Sequence, residues 1–377
     1  MQKRRIRVLI VDDSALVRKI LAESLAADPE IEVVGTAADA YVARDKILQL
    51  NPDVLTLDIE MPRMDGLSFL KLVMKHRPMP VIIISSLTTA SSAKALEALQ
   101  AGAVEVLAKP AGTLSAAGDG ADLSAKIKAA FQARLLPRSG SLTRPAQPEP
   151  PRPGLPAPRL SGAVPQPART ITGPPRQYSS KQIILMGAST GGTEALKLLL
   201  TNLTDTLPGI CIVQHIPAYF SRAFAERLNQ HCAMEVREAV HGDRVRPGLA
   251  LVAPGGQHLV LRGGVQGYVI ELSDGPRVHH QRPSVDILFD SAARAGAGPH
   301  ALALLLTGMG TDGAAGMLKL KESGATTVAQ NEESCVVFGM PREAIRLGAA
   351  QKVLPLEQMA AFVESHSTEA ARSNAAP

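Results

Sequence analysis

Residues 182–193 read QIILMGASTGGT. The run Ile183–Met186 is continuous and apolar, the mark of a strand covered on both faces. It stops at a serine set among glycines. Gly187-Ala188-Ser189-Thr190-Gly191 matches G-x-S-x-G, and an amphipathic stretch, TEALKLLL, follows at once. Strand, sharp turn and helix in that order give the motif its meaning. The glycines leave room for a turn that exposes the hydroxyl, and N–H groups at the helix start point toward developing negative charge. Ser189 is therefore a candidate nucleophile in an α/β unit. The motif by itself also fits a phosphate-binding turn or a plain helix cap.

The alternation continues downstream. GICIV with SRAFAERLNQ, a more β-rich section, ALALLLTG with GAAGMLKLKESG, and then ATTVA predict a second, mainly parallel, doubly wound sheet. HLVLRGGVQGYVIEL carries the glycines of a turn between two apolar runs and predicts a β-hairpin. A serine of ordinary pKa needs a base. His215 follows the strand GICIVQ, one βα unit after Ser189, and Pro217 ends that strand. Asp312, in LLLTGMGTDG, follows another apolar strand and is available to orient the imidazole. Gly308, Gly310 and Gly313 let that loop's backbone come close, which suits an oxyanion donor at Met309. Singly, His215 is a strand-end histidine and Asp312 a helix cap. The order Ser, His, Asp departs from α/β-hydrolases, where the acid precedes the histidine. His258, His279 and His280 read as loop or packing residues, and Cys335 as a small buried thiol.

The N-terminal third shows five βα units: IRVLIV, IEVVG, DVLTL, VIIIS and VEVLA, each followed by an amphipathic stretch. Chemistry gathers at the strand ends: Asp12 and Asp13, Asp58, Ser85, and Lys109 before Pro110. Functional groups of a parallel sheet lie beyond its carboxyl edge. Three carboxylates converging there repel unless a cation sits among them, and hard oxygen ligands suit Mg²⁺. Each residue alone has a bland reading, as a cap, a loop acid, a hydroxyl or a surface ion-pair partner.

Composition sets the boundaries. The 377 residues exceed one ordinary core. Residues 134–178 hold twelve of the 28 prolines, and seven arginines against Glu149 alone. This segment reads as an extended linker. Its six net positive charges exceed the chain's +5, so the remainder is about neutral and no folded basic face for nucleic acid is implied. Three cysteines without a CxxC pair fit a reducing cytoplasm. MQKRRIRVLIV resembles a leader peptide, but Asp12 and Asp13 interrupt it, and it reads as a first strand. No run of about 18 apolar residues predicts a membrane span.

The first five units resemble the receiver domain of two-component response regulators, a flavodoxin-like (βα)5 fold. The resemblance implies that Asp58 accepts a phosphoryl group from a histidine kinase. It further implies Mg²⁺ held by Asp12, Asp13, Asp58 and the Glu60 carbonyl, with Ser85 contacting the phosphoryl group and Lys109 pairing with it. Val106 departs from the family pattern, which often places an aromatic switch residue there. Downstream, MGASTGGTEAL, VQHIPAYFSRAFAERL, VAPGGQHL, RPSVDILFDSAA, LLTGMGTDGAAGM and AQNEESCVVFGMPREAI resemble the protein-glutamate methylesterase/glutamine deamidase (CheB) family. That resemblance implies Ser189 as nucleophile, His215 as base and Asp312 as its orienter, with Thr190 and Met309 near the oxyanion hole. It implies methyl-accepting chemoreceptors as substrate, a chemotaxis histidine kinase as phosphodonor, and no cofactor for the esterase. The expected organisation is a receiver (1–133), a linker (134–178), an esterase (179–365) and a tail (366–377). A non-catalytic phosphate sink is the rival from another class. A transcription factor is disfavoured because no basic recognition helix follows the linker.

Overall fold

Buried Val, Ile and Leu runs set both sheets. The computed structural model describes residues 4–86, 89–109, 119–134, 178 and 180–375. Apart from Arg134 and Tyr178, the expected linker lies outside these residues, as do Pro110 and residues 376–377. In the first unit, β1 (Ile6–Val11), β2 (Ile31–Ala37), β3 (Val54–Asp58), β4 (Val81–Ser85) and β5 (Glu105–Ala108) are all parallel, in the order β2-β1-β3-β4-β5. Helices α1 (Ala15–Ala26), α2 (Ala40–Leu50), α3 (Gly66–His76), α4 (Thr89–Gln100) and α5 (Asp119–Gln132) alternate with the strands. Ser14, Asp39 and Asp65 cap the first three through side-chain oxygens that accept N–H bonds of the first turn. Each cap contributes about 1 kcal/mol and fixes where strand-end loop becomes helix.

The second unit begins with β6 (Ile183–Ala188), α6 (Gly192–Thr201), β7 (Gly209–Gln214) and α7 (Ala218–His231). Then come β8 (Glu235–Glu238), β9 (Leu249–Val252), the hairpin β10 (His258–Gly264) and β11 (Gly267–Ser273), and α8 (Val285–Arg294). The chain closes with β12 (Ala301–Leu305), α9 (Ala314–Glu322), β13 (Thr326–Gln330), α10 (Met340–Arg346), β14 (Lys352–Leu354) and α11 (Leu356–Ala375). Seven strands form a wholly parallel sheet, β14-β13-β12-β6-β7-β9-β8. The chain runs outward from β6 on one side and returns beside it with β12, so the order reverses at β6. A parallel sheet opens its ligand crevice outside the carboxyl ends at such a switch point.

Two stretches differ from the sequence reading. The β-rich section contains α8, whose Val285, Leu288, Phe289 and Ala292 are buried at helical spacing behind the N-cap Ser284. Residues 366–375 continue α11 instead of forming a separate tail, because Ser367 is buried and the alanine-rich sequence favours helix.

The two units are docked. Leu96 and Leu99 of α4 face Phe224 and Leu228 of α7 across a groove, and the Arg227 guanidinium donates to Gln100. Arg134, just past α5, donates its backbone N–H to the Val336 carbonyl at 2.9 Å and pairs with Glu332 at 2.8 Å.

Candidate active site

Ser189 directly follows β6, in the turn that leads to α6. Its N–H donates to the Thr307 carbonyl, 3.0 Å away in the loop after β12, and its carbonyl accepts the Gly192 N–H at 2.7 Å. Gly191, at φ 78°, caps α6 in the left-handed region, where a side chain would be strained. The serine is therefore held by its main chain, and its hydroxyl makes no hydrogen bond among the described residues.

His215 follows β7, and its N–H donates to the Ala188 carbonyl at 3.0 Å. The imidazole-bearing residue thus stands one strand over from Ser189. Its Nε2 lies 2.7 Å from Asp312 Oδ2. A carboxylate only accepts, so Nε2 is the donor in this pair, which in the neutral imidazole leaves the lone pair on Nδ1. Asp312 does not cap its own helix, which starts at Ala314 with Gly313 as its N-cap. It sits at the N-terminus of α8. Oδ1 accepts from Ser284 Oγ at 2.7 Å and the Asp286 N–H at 3.0 Å, while Oδ2 also accepts the Val285 N–H at 2.8 Å. Burial alone would push this carboxyl up; the His215 hydrogen bond and charge, with the Asp286 and Ser284 donors, hold it below its usual range.

The loop after β12 presses close, since a Cβ on Gly308 would stand 2.7 Å from Ser189 Cβ. The backbone N–H groups of Met309, next in that loop, and of Thr190 have no partner among the described residues. Thr190 follows Ser189 in the chain and Met309 follows the Gly308 that packs on it, and unpaired donors next to a developing negative charge can stabilise it.

The Thr190 hydroxyl is occupied from the other unit. It donates to Glu105 Oε2 at 2.7 Å, and Lys126 of α5 donates to the same oxygen at 3.0 Å. In this docked arrangement Ser189, Thr190 and His215 are only 3%, 1% and 5% exposed, so no polypeptide substrate reaches the hydroxyl.

The second cluster lies at the carboxyl edge of the first sheet. Single carboxylate oxygens of Asp12, Asp13 and Asp58 all fall within 4.8 Å of one another. Lys109 Nζ donates to Asp58 Oδ2 at 2.7 Å and stands 3.1 Å from Asp12 Oδ2, close enough for charge pairing but not aligned as a hydrogen bond. Asp12 Oδ2 is buried without a hydrogen-bond partner. Burial pushes the Asp58 carboxyl up to about 6 against the pull of Lys109, and raises Asp12 likewise. Buried, crowded oxygens with an unsatisfied lone pair fit a hard divalent cation. The Glu60 N–H donates to Asp58 Oδ1 at 3.1 Å, so its backbone lies beside the cluster. Ser85 is buried at the end of β4, and its carbonyl accepts the Lys109 N–H at 2.7 Å. Val106 is buried in β5.

The remaining candidates have structural settings. His258 Nε2 lies 2.9 Å from the Pro276 carbonyl, while its Nδ1 accepts the Ser284 N–H at 3.2 Å. His279 pairs with Asp286 at 3.0 Å. Burial pushes the Cys335 thiol up to about 12, which leaves it a poor nucleophile. Ser284 was missed, although Pro-Ser before an apolar helical period signals an N-cap. Glu105 had no signal, since its partner Thr190 is 85 residues away.

Known proteins share both units. Residues 8–116 match the response regulator receiver domain family and residues 184–363 the CheB methylesterase family. Protein-glutamate methylesterase/protein-glutamine glutaminase 2 of Syntrophus aciditrophicus is 50% identical over 356 residues, covering 94% of this chain and 97% of its own. A Ralstonia nicotianae protein of the same name, without the number, is 50% identical over 372 residues, covering 96% of each chain. The crystal structure of the Thermotoga maritima CheB methylesterase catalytic domain is 36% identical, covering 49% of this chain and 98% of that one, with a TM-score of 0.48. With half its residues shared along nearly the full length of such relatives, the chain belongs to the CheB methylesterase family.

Proposed function

We propose that this chain removes methyl esters from glutamate side chains of methyl-accepting chemoreceptors, deamidates receptor glutamines, and is switched on when a chemotaxis histidine kinase supplies a phosphoryl group to Asp58. The observation that carries the chemistry is the buried His215–Asp312 pair, 2.7 Å apart, one strand over from Ser189. Ser189 Oγ attacks the γ-carbonyl while His215 Nδ1 takes its proton. The Thr190 and Met309 N–H groups receive the developing oxyanion. His215 returns the proton to the departing methoxide and methanol leaves. Water, deprotonated by the same imidazole, then frees the glutamate; from glutamine the leaving group is ammonia. General-base catalysis contributes roughly 10²–10⁴ and an oxyanion donor roughly 10²–10³, so both are required against a stable ester.

Control follows from the docked interface. With Glu105 on Thr190, the receiver covers the nucleophile, and phosphorylation favours an arrangement in which it does not. The test measures methanol release from receptor membranes carrying labelled methyl esters, with and without acetyl phosphate. Release stimulated by the phosphodonor is expected; none under either condition would sink the reading. Glu105→Gln weakens a charge-assisted bond, so release by unphosphorylated protein should rise roughly tenfold toward the stimulated rate. An unchanged basal rate would remove Glu105 from the control.

Asp12, Asp13, Asp58 and the Glu60 carbonyl would hold Mg²⁺, which neutralises charge where the phosphoryl group arrives. Lys109 then pairs with the phosphoryl group and Ser85 contacts it. Mg²⁺ is expected to raise the melting temperature of metal-free protein by a few degrees, an effect that Asp12→Asn abolishes. Equal melting curves with and without the ion would count against the site. Among the described residues no helix is long and apolar enough to cross a membrane.

A further inference from the structure

We propose that Gln214 is a positioning residue for catalysis: one buried amide sets the direction of the Thr190 N–H and the seat of His215. The inference rests on the reading of Ser189 as nucleophile. Gln214 is the last residue of β7, in register with Ala188 of β6, and is 1% exposed. Its Nε2 donates to the Ser189 carbonyl at 2.9 Å and to the His215 carbonyl at 3.1 Å. No other side chain among the described residues bridges the main chains of nucleophile and base.

The amide's orientation is fixed by chemistry, because a flipped group would set its oxygen against two carbonyl oxygens. The remaining atom, Oε1, is buried with no hydrogen-bond partner. It packs at the start of α6, where a Cβ on Gly192 would stand 2.2 Å away. An unpartnered buried oxygen costs stability that an apolar side chain of similar size would not. What Gln214 supplies in return is direction.

A trans peptide is planar, with its C=O and N–H pointing opposite ways. The Ser189 carbonyl accepts the Gly192 N–H at 2.7 Å as well, and the Gln214 bond adds the second restraint that, by holding this carbonyl, aims the Thr190 N–H, the unpaired donor beside the hydroxyl. The same Nε2 anchors the His215 carbonyl, so the imidazole and the oxyanion donor are referred to a single point. Such a residue acts on the transition state and leaves receptor binding alone.

The test is full-length Gln214→Leu and Gln214→Met, activated with acetyl phosphate and assayed for methanol release at several receptor concentrations, each with its melting temperature. A kcat lower by about 10- to 100-fold with KM within about twofold is expected, because the oxyanion donor is misaimed rather than removed. Gln214→Glu keeps the shape but faces two carbonyls with a carboxylate oxygen, and should lose more kcat than either apolar variant. Wild-type kcat in the folded apolar variants, or a loss confined to KM, overturns the proposal. So does failure of both to fold, which would make Gln214 structural only. Ser189→Ala assayed in parallel separates the two readings: if it retains activity the nucleophile itself is wrong, and if it is inactive while Gln214→Leu is not, only the role of Gln214 falls.

Discussion

Ser189→Ala is expected to lower methanol release from methylated receptor membranes by at least about 10⁴-fold, with or without a phosphodonor. The size follows from what is lost: with no hydroxyl, His215 has nothing to deprotonate and the covalent route closes. Stability should barely change, by less than about 1 kcal/mol, because the hydroxyl makes no hydrogen bond among the described residues and the turn is fixed through the main-chain atoms of Ser189, held by Thr307, Gly192 and the Gln214 amide. The pair of measurements is decisive in combination. An inactive variant that melts with the wild type assigns the loss to chemistry, whereas release near the wild-type rate would end the serine mechanism.

Asp312→Asn should reduce turnover by about 10⁴-fold through the imidazole tautomer. The asparagine carbonyl can face only part of a cage made of Ser284 Oγ, two α8 N–H groups and His215 Nε2. Its NH₂ meets donors on the other side. The imidazole then moves its proton to Nδ1, where the base is needed, and roughly 3 kcal/mol of stability is lost. The acid dependence has a definite sign. The folded-state pKa of Asp312 lies below its usual value of 3.8. Its contribution is therefore full above about pH 4 and fades as the pH falls through the lower folded-state value. The stability gap between wild type and Asp312→Asn, read from denaturant melts, should be widest near neutrality and shrink below about pH 4. A gap that stays constant into acid would show that the carboxylate cage is not what holds the loop.

Both sheets were legible in the sequence because a strand buried on each face must be apolar throughout, and Val, Ile and Leu runs ending at Asp12, Asp58, Ser85, Ser189 and His215 mark the edge where chemistry collects. The His215–Asp312 contact followed from strand ends sharing that edge. Its geometry did not, since no sequence pattern tells which imidazole nitrogen meets the carboxylate. Helix α8 was absorbed into a β-rich reading because its period is flanked by the hairpin on one side and β12 on the other. Glu105 and Gln214 were invisible for another reason: each acts on a backbone or hydroxyl whose position exists only after the sheets have formed and docked.

One short strand touches both sites. β5 lies at the rim of its sheet, hydrogen-bonded to β4 alone. Lys109, just past one end, grips the Asp58 carboxylate, and Glu105, at the other, grips the Thr190 hydroxyl. An extended strand of four residues spans about 13 Å and has no slack to absorb a pull. Its four residues pair with β4 along their whole length, so the two grips are fixed to one short, straight element. The carboxylate cluster and the Thr190 hydroxyl are thus tethered to the two ends of the same four-residue strand, with a buried valine between them.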